Sequence, residues 1–359
     1  MRILILSASI GSGHLKAAEA IEKSLSGEVQ SVDFMSKEVS GLNAVTKKIY
    51  LAALKFIPDL YDRIYRFAGK KQVGILIRLI TSLGTYFPFV RLLKKFRPDI
   101  VICTHPFPEA AAALWKFLHP KAARNFLLAA VLTDYSLHEI WIYGEVDMYF
   151  VATEEMKNEL AGQSRPGVEI FAPGIPVGKE FSEVESKKKS GRTTILIMGG
   201  GLGLGSIEST LTDLENISSP LKIIVVAGRN EKLLSRLKSL QTKLKHEIEI
   251  FGYVGNISEL MRESDLLITK PGALTMSEAF SVGLPMILHA PIPGPEAKNA
   301  EYAIQHGAAV SGGEEKISVV AEKILQDLSG LDDMKIAAKK IGRPGAAADI
   351  AKIIESVVP

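Results

Sequence analysis

Short apolar runs recur along this chain, each closing on small or polar residues and each followed by apolar positions at helical spacing. Arg2-Ile3-Leu4-Ile5-Leu6 predicts a first strand, Ser7–His14 a loop, and the residues after it a helix to about Leu25. Glu28–Asp33 reads as a second strand. The alternation resumes with a strand at Asp99–Cys103, the turn Thr104-His105-Pro106-Phe107-Pro108, a helix at Glu109–Leu118, and strands at Phe126–Leu132 and Met148–Ala152. Pro173-Gly174-Ile175-Pro176-Val177 and the polar run Glu183–Arg192 then mark a boundary. Beyond it a fresh series begins with the strand Thr193–Met198, the loop Gly199–Ser206 and a helix. A strand closing in Ala227-Gly228-Arg229-Asn230, another at Ile248–Phe251, and a strand end at Leu266–Thr269 follow. After Lys270-Pro271-Gly272 a helix carries Leu274, Ala279 and Phe280 and stops at Gly283-Leu284-Pro285. The run Met286–Leu288, a Pro/Gly-rich loop, a helix from about Glu296 and helical patterns from Ile317 onward complete the chain. This order predicts two doubly wound α/β domains facing a central cleft, each opening on a strand and a glycine turn. The expected limits are 1–178 and 179–345, with a C-terminal helix at 346–359 crossing back to the first domain.

One segment breaks the alternation. From Leu42 to Arg97 the pattern is helical, with aromatic residues scattered among twelve Lys or Arg and only two acids, Asp59 and Asp62. Its charge is therefore +10, and with a net charge of +3 the rest of the chain is −7. Val73–Val90 holds a single charge, Arg78, and approaches the length of a membrane span, but Gly74, Gly84 and Pro88 interrupt it. An interfacial helix pair is the expectation, and segment 42–97 is expected to meet an anionic surface, a membrane or a nucleic acid. Overall composition, 47% apolar with 359 residues, fits a globular protein of two domains. The one cysteine, Cys103, lies in an apolar run, so no internal disulfide can form and a buried thiol in a reducing compartment is expected. The chain enters a strand with no signal-peptide pattern before it, which predicts a cytosolic location.

Polar residues gather where strands end and helices begin, the usual place for ligands in open parallel sheets. The helix starting near Ala273 offers the backbone amides of Gly272, Ala273, Leu274 and Thr275 to a phosphate, and Glu278 lies further along, with a carboxylate suited to paired ribose hydroxyls. His14 follows Gly11-Ser12-Gly13 in the first turn of its helix, where the macrodipole disfavours the imidazolium. It either caps and packs or, as a neutral imidazole, accepts a proton. Asp134 and His138 either shape a pocket for an acceptor or pair with each other. The loop with Gly200 and Gly201 is no Walker A motif, since no Lys precedes Ser206, and no acid closes the next strand as a dinucleotide site requires. Its amides still suit a sugar or phosphate. Tyr253 offers a ring face, and Val254 backbone groups, at another strand end.

The order of residues in 268–310 closely resembles the nucleotide-sugar signature of the diacylglycerol glycosyltransferases, the monogalactosyldiacylglycerol synthase and processive glucosyltransferase group. It resembles the peptidoglycan N-acetylglucosaminyl transferase more distantly. Gly11-Ser12-Gly13-His14 and Thr133-Asp134-Tyr135, His138 and Trp141 extend the likeness to most of residues 1–345. The resemblance implies a GT-B fold of two Rossmann-like domains and metal-independent, cofactor-free, inverting transfer of a hexose from a UDP-sugar to diacylglycerol. It implies that His14 is the base, that Glu278 holds the ribose, that Tyr253 and Val254 flank the uracil, and that Glu296 and Asn299 hold sugar hydroxyls. Gly13, Gly200 and Gly201 would face the donor, and Asp134 and His138 the acceptor. Pro295 stands where the family usually has Gln, which leaves the hexose open. The expected partners are UDP-hexose, diacylglycerol and an anionic membrane surface, with no nucleic acid and a place on the inner face of the cell membrane. Rival readings are another acceptor, polyprenyl-linked or soluble, a UDP-sugar 2-epimerase, or a non-enzymatic protein of anionic surfaces.

Overall fold

The computed structural model describes residues 1–9, 11–36, 71–182, 191–200, 206–289, 291, 294–313 and 315–357, and side chains of 71–96 only at 82 and 85–96. The chain forms two compact units, Met1–Gly178 with Pro293–Pro295 and Gly345–Pro359, and Lys179–Ile292 with Glu296–Pro344.

The first unit is built on a six-stranded parallel sheet of β1 (Arg2–Ser7), β2 (Glu28–Asp33), β3 (Ile100–Cys103), β4 (Leu127–Val131), β5 (Met148–Phe150) and β6 (Glu169–Phe171), in the order β2-β1-β3-β4-β5-β6. Ile3, Leu4, Ile5 and Leu6 are all fully buried, because helices cover both faces of such a sheet. The helices are α1 (Gly13–Ser24), α2 (Lys71–Phe96), α3 (Pro106–Leu118) and α4 (Glu154–Ala161). The core joins Ile3, Ile5, Ala18, Ile21, Ile100 and Ile102 to Ile350 and Ile354 of the helix Ala346–Val357. Glu355 accepts the backbone N–H of Ser26 at 2.7 Å.

Two boundaries differ from the sequence expectation. The helix expected at Glu109 starts at Pro106, because Pro106 and Pro108 fall in the first turn, where a missing N–H costs nothing. The His105 ring accepts the Phe107 N–H at 3.1 Å and caps that turn. Gly84 and Pro88 do not divide 71–96, which is one helix. An interior proline costs about 3 kcal/mol. Burial of Ser82, Thr85, Phe89 and Phe96, with α2 packed on α3, offsets it. The earlier member of the expected helix pair lies outside the described residues. Among the described residues no helix is long and apolar enough to cross a membrane. The short strand β6 and the helix α4 went unread in the sequence.

The second unit repeats the design. Its parallel sheet comprises β7 (Thr194–Met198), β8 (Lys222–Val226), β9 (Glu247–Phe251), β10 (Leu266–Thr269), β11 (Met286–Leu288) and β12 (Ala309–Ser311), ordered β12-β11-β10-β7-β8-β9. Around it lie α5 (Ile207–Leu214), α6 (Glu231–Gln241), α7 (Ile257–Glu263), α8 (Ala273–Val282), α9 (Pro295–Gln305), α10 (Ile317–Gln326) and α11 (Leu328–Ile341); α12 is Ala346–Val357 of the first unit. Ile195, Ile197, Ile223, Val225, Leu266 and Ile268 form the centre of its core.

Candidate active site

Each sheet has one place where successive connections leave in opposite directions. In the first it lies between β1 and β3, in the second between β7 and β10. A crevice opens there outside the carboxyl ends of the strands. His14 stands at the first of these points, and Gly200 and the start of α8 at the second.

In the first unit His14 is the second residue of α1, whose N-cap Ser12 makes no side-chain capping bond. The loop before it is tied down by Asp33 at the end of β2, which accepts the N–H groups of Ser9 and Met35, both at 3.0 Å. His14 Nδ1 lies 2.9 Å from the carbonyl oxygen of Thr104, just beyond β3. It also lies 2.7 Å from Thr133 Oγ1, just beyond β4. A carbonyl only accepts, so Nδ1 carries the ring proton and Nε2 keeps its lone pair. Thr104 Oγ1 in turn donates to the carbonyl of His14 at 3.0 Å. Burial pushes the imidazole down to about 4, against a smaller upward pull from the Thr104 carbonyl. His105 meets His14 edge to face, with ring centroids 4.6 Å apart. Its own basicity falls well below the usual range through burial first and through His14 second. A neutral, oriented imidazole with a free Nε2 is what a general base requires.

In the second unit α8 begins directly after the turn Lys270-Pro271-Gly272, and its N-cap Gly272 offers no side-chain oxygen to the first amides. The N–H groups of Ala273, Leu274 and Thr275 thus form an uncapped positive end. The Lys270 ammonium pairs with Glu296 of α9. A Cβ at Gly272 would lie 3.7 Å from Lys270 Nζ, and one at Gly200 would lie 3.8 Å from its Cε. Lys270 therefore spans the glycine turn after β7 and the start of α8. Asn299, one helical turn after Glu296, donates its amide to the Pro271 carbonyl at 3.3 Å. Glu278 is buried in α8.

The remaining expected residues fall as follows. Tyr253 is 52% exposed, with the Arg229 guanidinium 4.9 Å from its ring centroid. Val254 beside it is half-buried. His138 caps the short turn Glu139–Trp141, its Nδ1 accepting the Ile140 N–H at 3.2 Å. Asp134 is half-buried after β4, where Thr133, and not Asp134, reaches His14. Gly201 lies outside the described residues. The sequence reading passed over Thr104, Thr133, Lys270 and Arg229. For Lys270 a signal existed, since a cation directly before an uncapped helix start is a ready phosphate partner.

This architecture is that of a GT-B glycosyltransferase. The structure is similar to that of MurG from Acinetobacter baumannii, with a TM-score of 0.63 and 15% identity over 99% of each chain. It is also similar to a spinosyn rhamnosyltransferase solved with thymidine diphosphate, with a TM-score of 0.58 and 13% identity over 99% of this chain and 100% of that one. At the level of sequence, the monogalactosyldiacylglycerol (MGDG) synthase family matches residues 14–177, and the glycosyltransferase family 28 C-terminal domain matches residues 194–354. A processive diacylglycerol beta-glucosyltransferase of Bacillus cereus is 34% identical over 373 residues, spanning 98% of this chain and 93% of the relative. The chain belongs to this family of diacylglycerol glycosyltransferases.

Proposed function

We propose that this protein transfers a hexose from a UDP-hexose to the free hydroxyl of diacylglycerol, with inversion, at an anionic membrane surface. The observation that carries the chemistry is the fixed tautomer of His14, whose Nδ1–H faces the Thr104 carbonyl. Nε2 then takes the proton of the acceptor hydroxyl as its oxygen bonds to the anomeric carbon. The bond from that carbon to the diphosphate breaks, and UDP departs with the electron pair. The α8 amides and Lys270 supply positive potential for the charge that develops on the leaving group. Residues 1–178 would take the acceptor and 179–345 the donor.

Lipid as acceptor is supported by the activity named for the Bacillus cereus relative. The membrane reading has its own support on α2 and α3. Phe87, Phe117 and Leu118 are exposed apolar residues, and Arg91, Lys94 and Lys95 are exposed bases. Such a surface suits peripheral binding at the inner face of the cell membrane. The relative's glucosyl activity makes UDP-glucose the first donor to assay, with UDP-galactose beside it. The test is product analysis on diacylglycerol vesicles. Wild type should form glycolipid, and His14→Ala should lower turnover by about 10²–10⁴-fold with UDP affinity nearly intact. Glycosylation of a water-soluble alcohol without any lipid product would overturn the acceptor assignment.

A further inference from the structure

We propose that His105 is a positioning residue for the transfer: its ring, tied through Nδ1 to the start of α3, is the wall that holds the His14 imidazole at its working angle. The inference rests on the reading of His14 as the base, and adds to it a residue that acts through His14 and not on the substrate.

The sequence explains why a histidine stands there. Pro106 and Pro108 bring no N–H to the first turn of α3, so Phe107 supplies the one donor among its first three residues. The cap has to accept that N–H, and His105 does so with Nδ1 at 3.1 Å. A nitrogen that accepts carries no proton, so the proton of the neutral ring sits on Nε2. Burial first, and His14 second, keep His105 neutral. His105 therefore has no lone pair to offer the acceptor proton. Of the two rings, His14 alone keeps one, on Nε2.

The contact between the rings supplies what the hydrogen bonds do not. Thr104 and Thr133 both meet His14 at Nδ1, at 2.9 and 2.7 Å. Two partners on one atom leave the ring able to tilt about that atom, and a tilt swings Nε2 aside. The His105 ring closes this freedom, since its plane lies 76° from that of His14 with the centroids 4.6 Å apart. Thr104 and His105 are consecutive, so one stretch beyond β3 provides both the carbonyl and the wall. The wall is itself braced. The Phe107 ring meets His105 at 67° with centroids 4.6 Å apart, and Phe107 packs on Ala8 and Met35. Misplacing a reacting atom by about 1 Å can cost on the order of 10²-fold in rate, which is the scale of effect that a lost wall would bring.

Two variants separate the ring from the cap. Asn is a favoured N-cap without a ring, whereas Phe keeps a ring and cannot accept the Phe107 N–H. His105→Asn should melt near wild type and lose about ten- to one-hundred-fold in kcat, with UDP affinity and the KM for UDP-glucose within about two-fold. His105→Phe should melt lower and yet recover kcat to within about five-fold of wild type. A residue that acts through His14 has nothing to act on once His14 is gone. In the His14→Ala background, His105→Asn should therefore change the residual turnover by less than about two-fold. The measurements are steady-state kinetics with UDP-glucose on diacylglycerol vesicles, calorimetric titration with UDP, and melting curves. Wild-type kcat in His105→Asn would overturn the proposal. An equal fractional loss in the His14→Ala background would overturn it too, because His105 would then only shape the fold. So would a folded His105→Phe slower than His105→Asn, which would assign the effect to the cap. His14→Ala with wild-type turnover would instead remove the base reading on which the proposal stands.

Discussion

At the scale of single residues, the proposed base His14 has no carboxylate partner on Nδ1 among the described residues. The Thr104 carbonyl and the Thr133 hydroxyl both face that nitrogen, and burial holds the ring neutral down to about 4. Two pH effects follow, with their signs fixed by the depressed value. The neutral form persists through the ordinary histidine range, so kcat/KM should stay level on cooling the pH from 8 to 6 and fall only toward 4. An acid limb near 6.5 in the pH–rate profile would mean that another group sets the rate. For stability, the unfolded ring takes up a proton near 6.5 while the folded ring does not until about 4. The contribution of His14 is therefore complete above 6.5 and declines as the pH falls through that window. A denaturation series from pH 7 to 4 on wild type and His14→Ala should show a steeper decline in wild type. His14 could be picked out in the chain because a glycine turn and a strand precede it. Its partners could not, since Thr104 and Thr133 stand 90 and 119 residues away and only the order of the strands brings them together.

Among the elements, α8 and its neighbours hold the turn on which the proposed donor site depends. The helix was readable from its stop at Gly283-Leu284-Pro285 and from its apolar positions, and so were the strands before and after it. What holds it was not readable. Gly342, just past α11, comes so close to α8 that a Cβ there would lie 2.6 Å from the Phe280 carbonyl oxygen. Backbone cannot yield as a flexible side chain does. Gly342→Ala should destabilise the second unit by about 1–3 kcal/mol, the usual cost of overpacking, and lower UDP affinity only as far as α8 moves. Denaturant titration with a UDP-binding readout checks both. The boundaries that sequence reading misplaced have a common origin. Prolines were taken as breaks at 106 and 88, yet one starts a helix and the other is carried inside one by packing. A proline reports a lost N–H, and whether the loss matters depends on position and on neighbours absent from the local pattern.

For the molecule as a whole, charge and chain path matter most. Exposed Lys94 and Lys95 on α2 belong to the segment that carries +10. Each base near an anionic leaflet is worth about 1 kcal/mol, fading within a Debye length. Lys94→Glu with Lys95→Glu should therefore weaken binding to anionic vesicles by at least ten-fold in a sedimentation assay, and high salt should weaken wild-type binding in the same direction. UDP affinity should not change, since these residues lie outside the unit that carries Lys270 and α8. The chain path concerns α12. Ile350 and Ile354 complete the core around Ile3 and Ile5, although the whole of the second unit lies between them in sequence. On a ribosome the usual order is that the domain made first folds first. Here the second unit can close its core while the first still lacks two of its central side chains. The earlier sheet must wait, with one patch uncovered, for residues made after the second unit, so a chain interrupted just before Ala346 would carry a finished second unit and an unfinished first one. Exposed apolar surface of that kind is what a quality-control protease or chaperone recognises, and α12 thus acts as the mark by which a chain with its first core closed differs from one with that core still open.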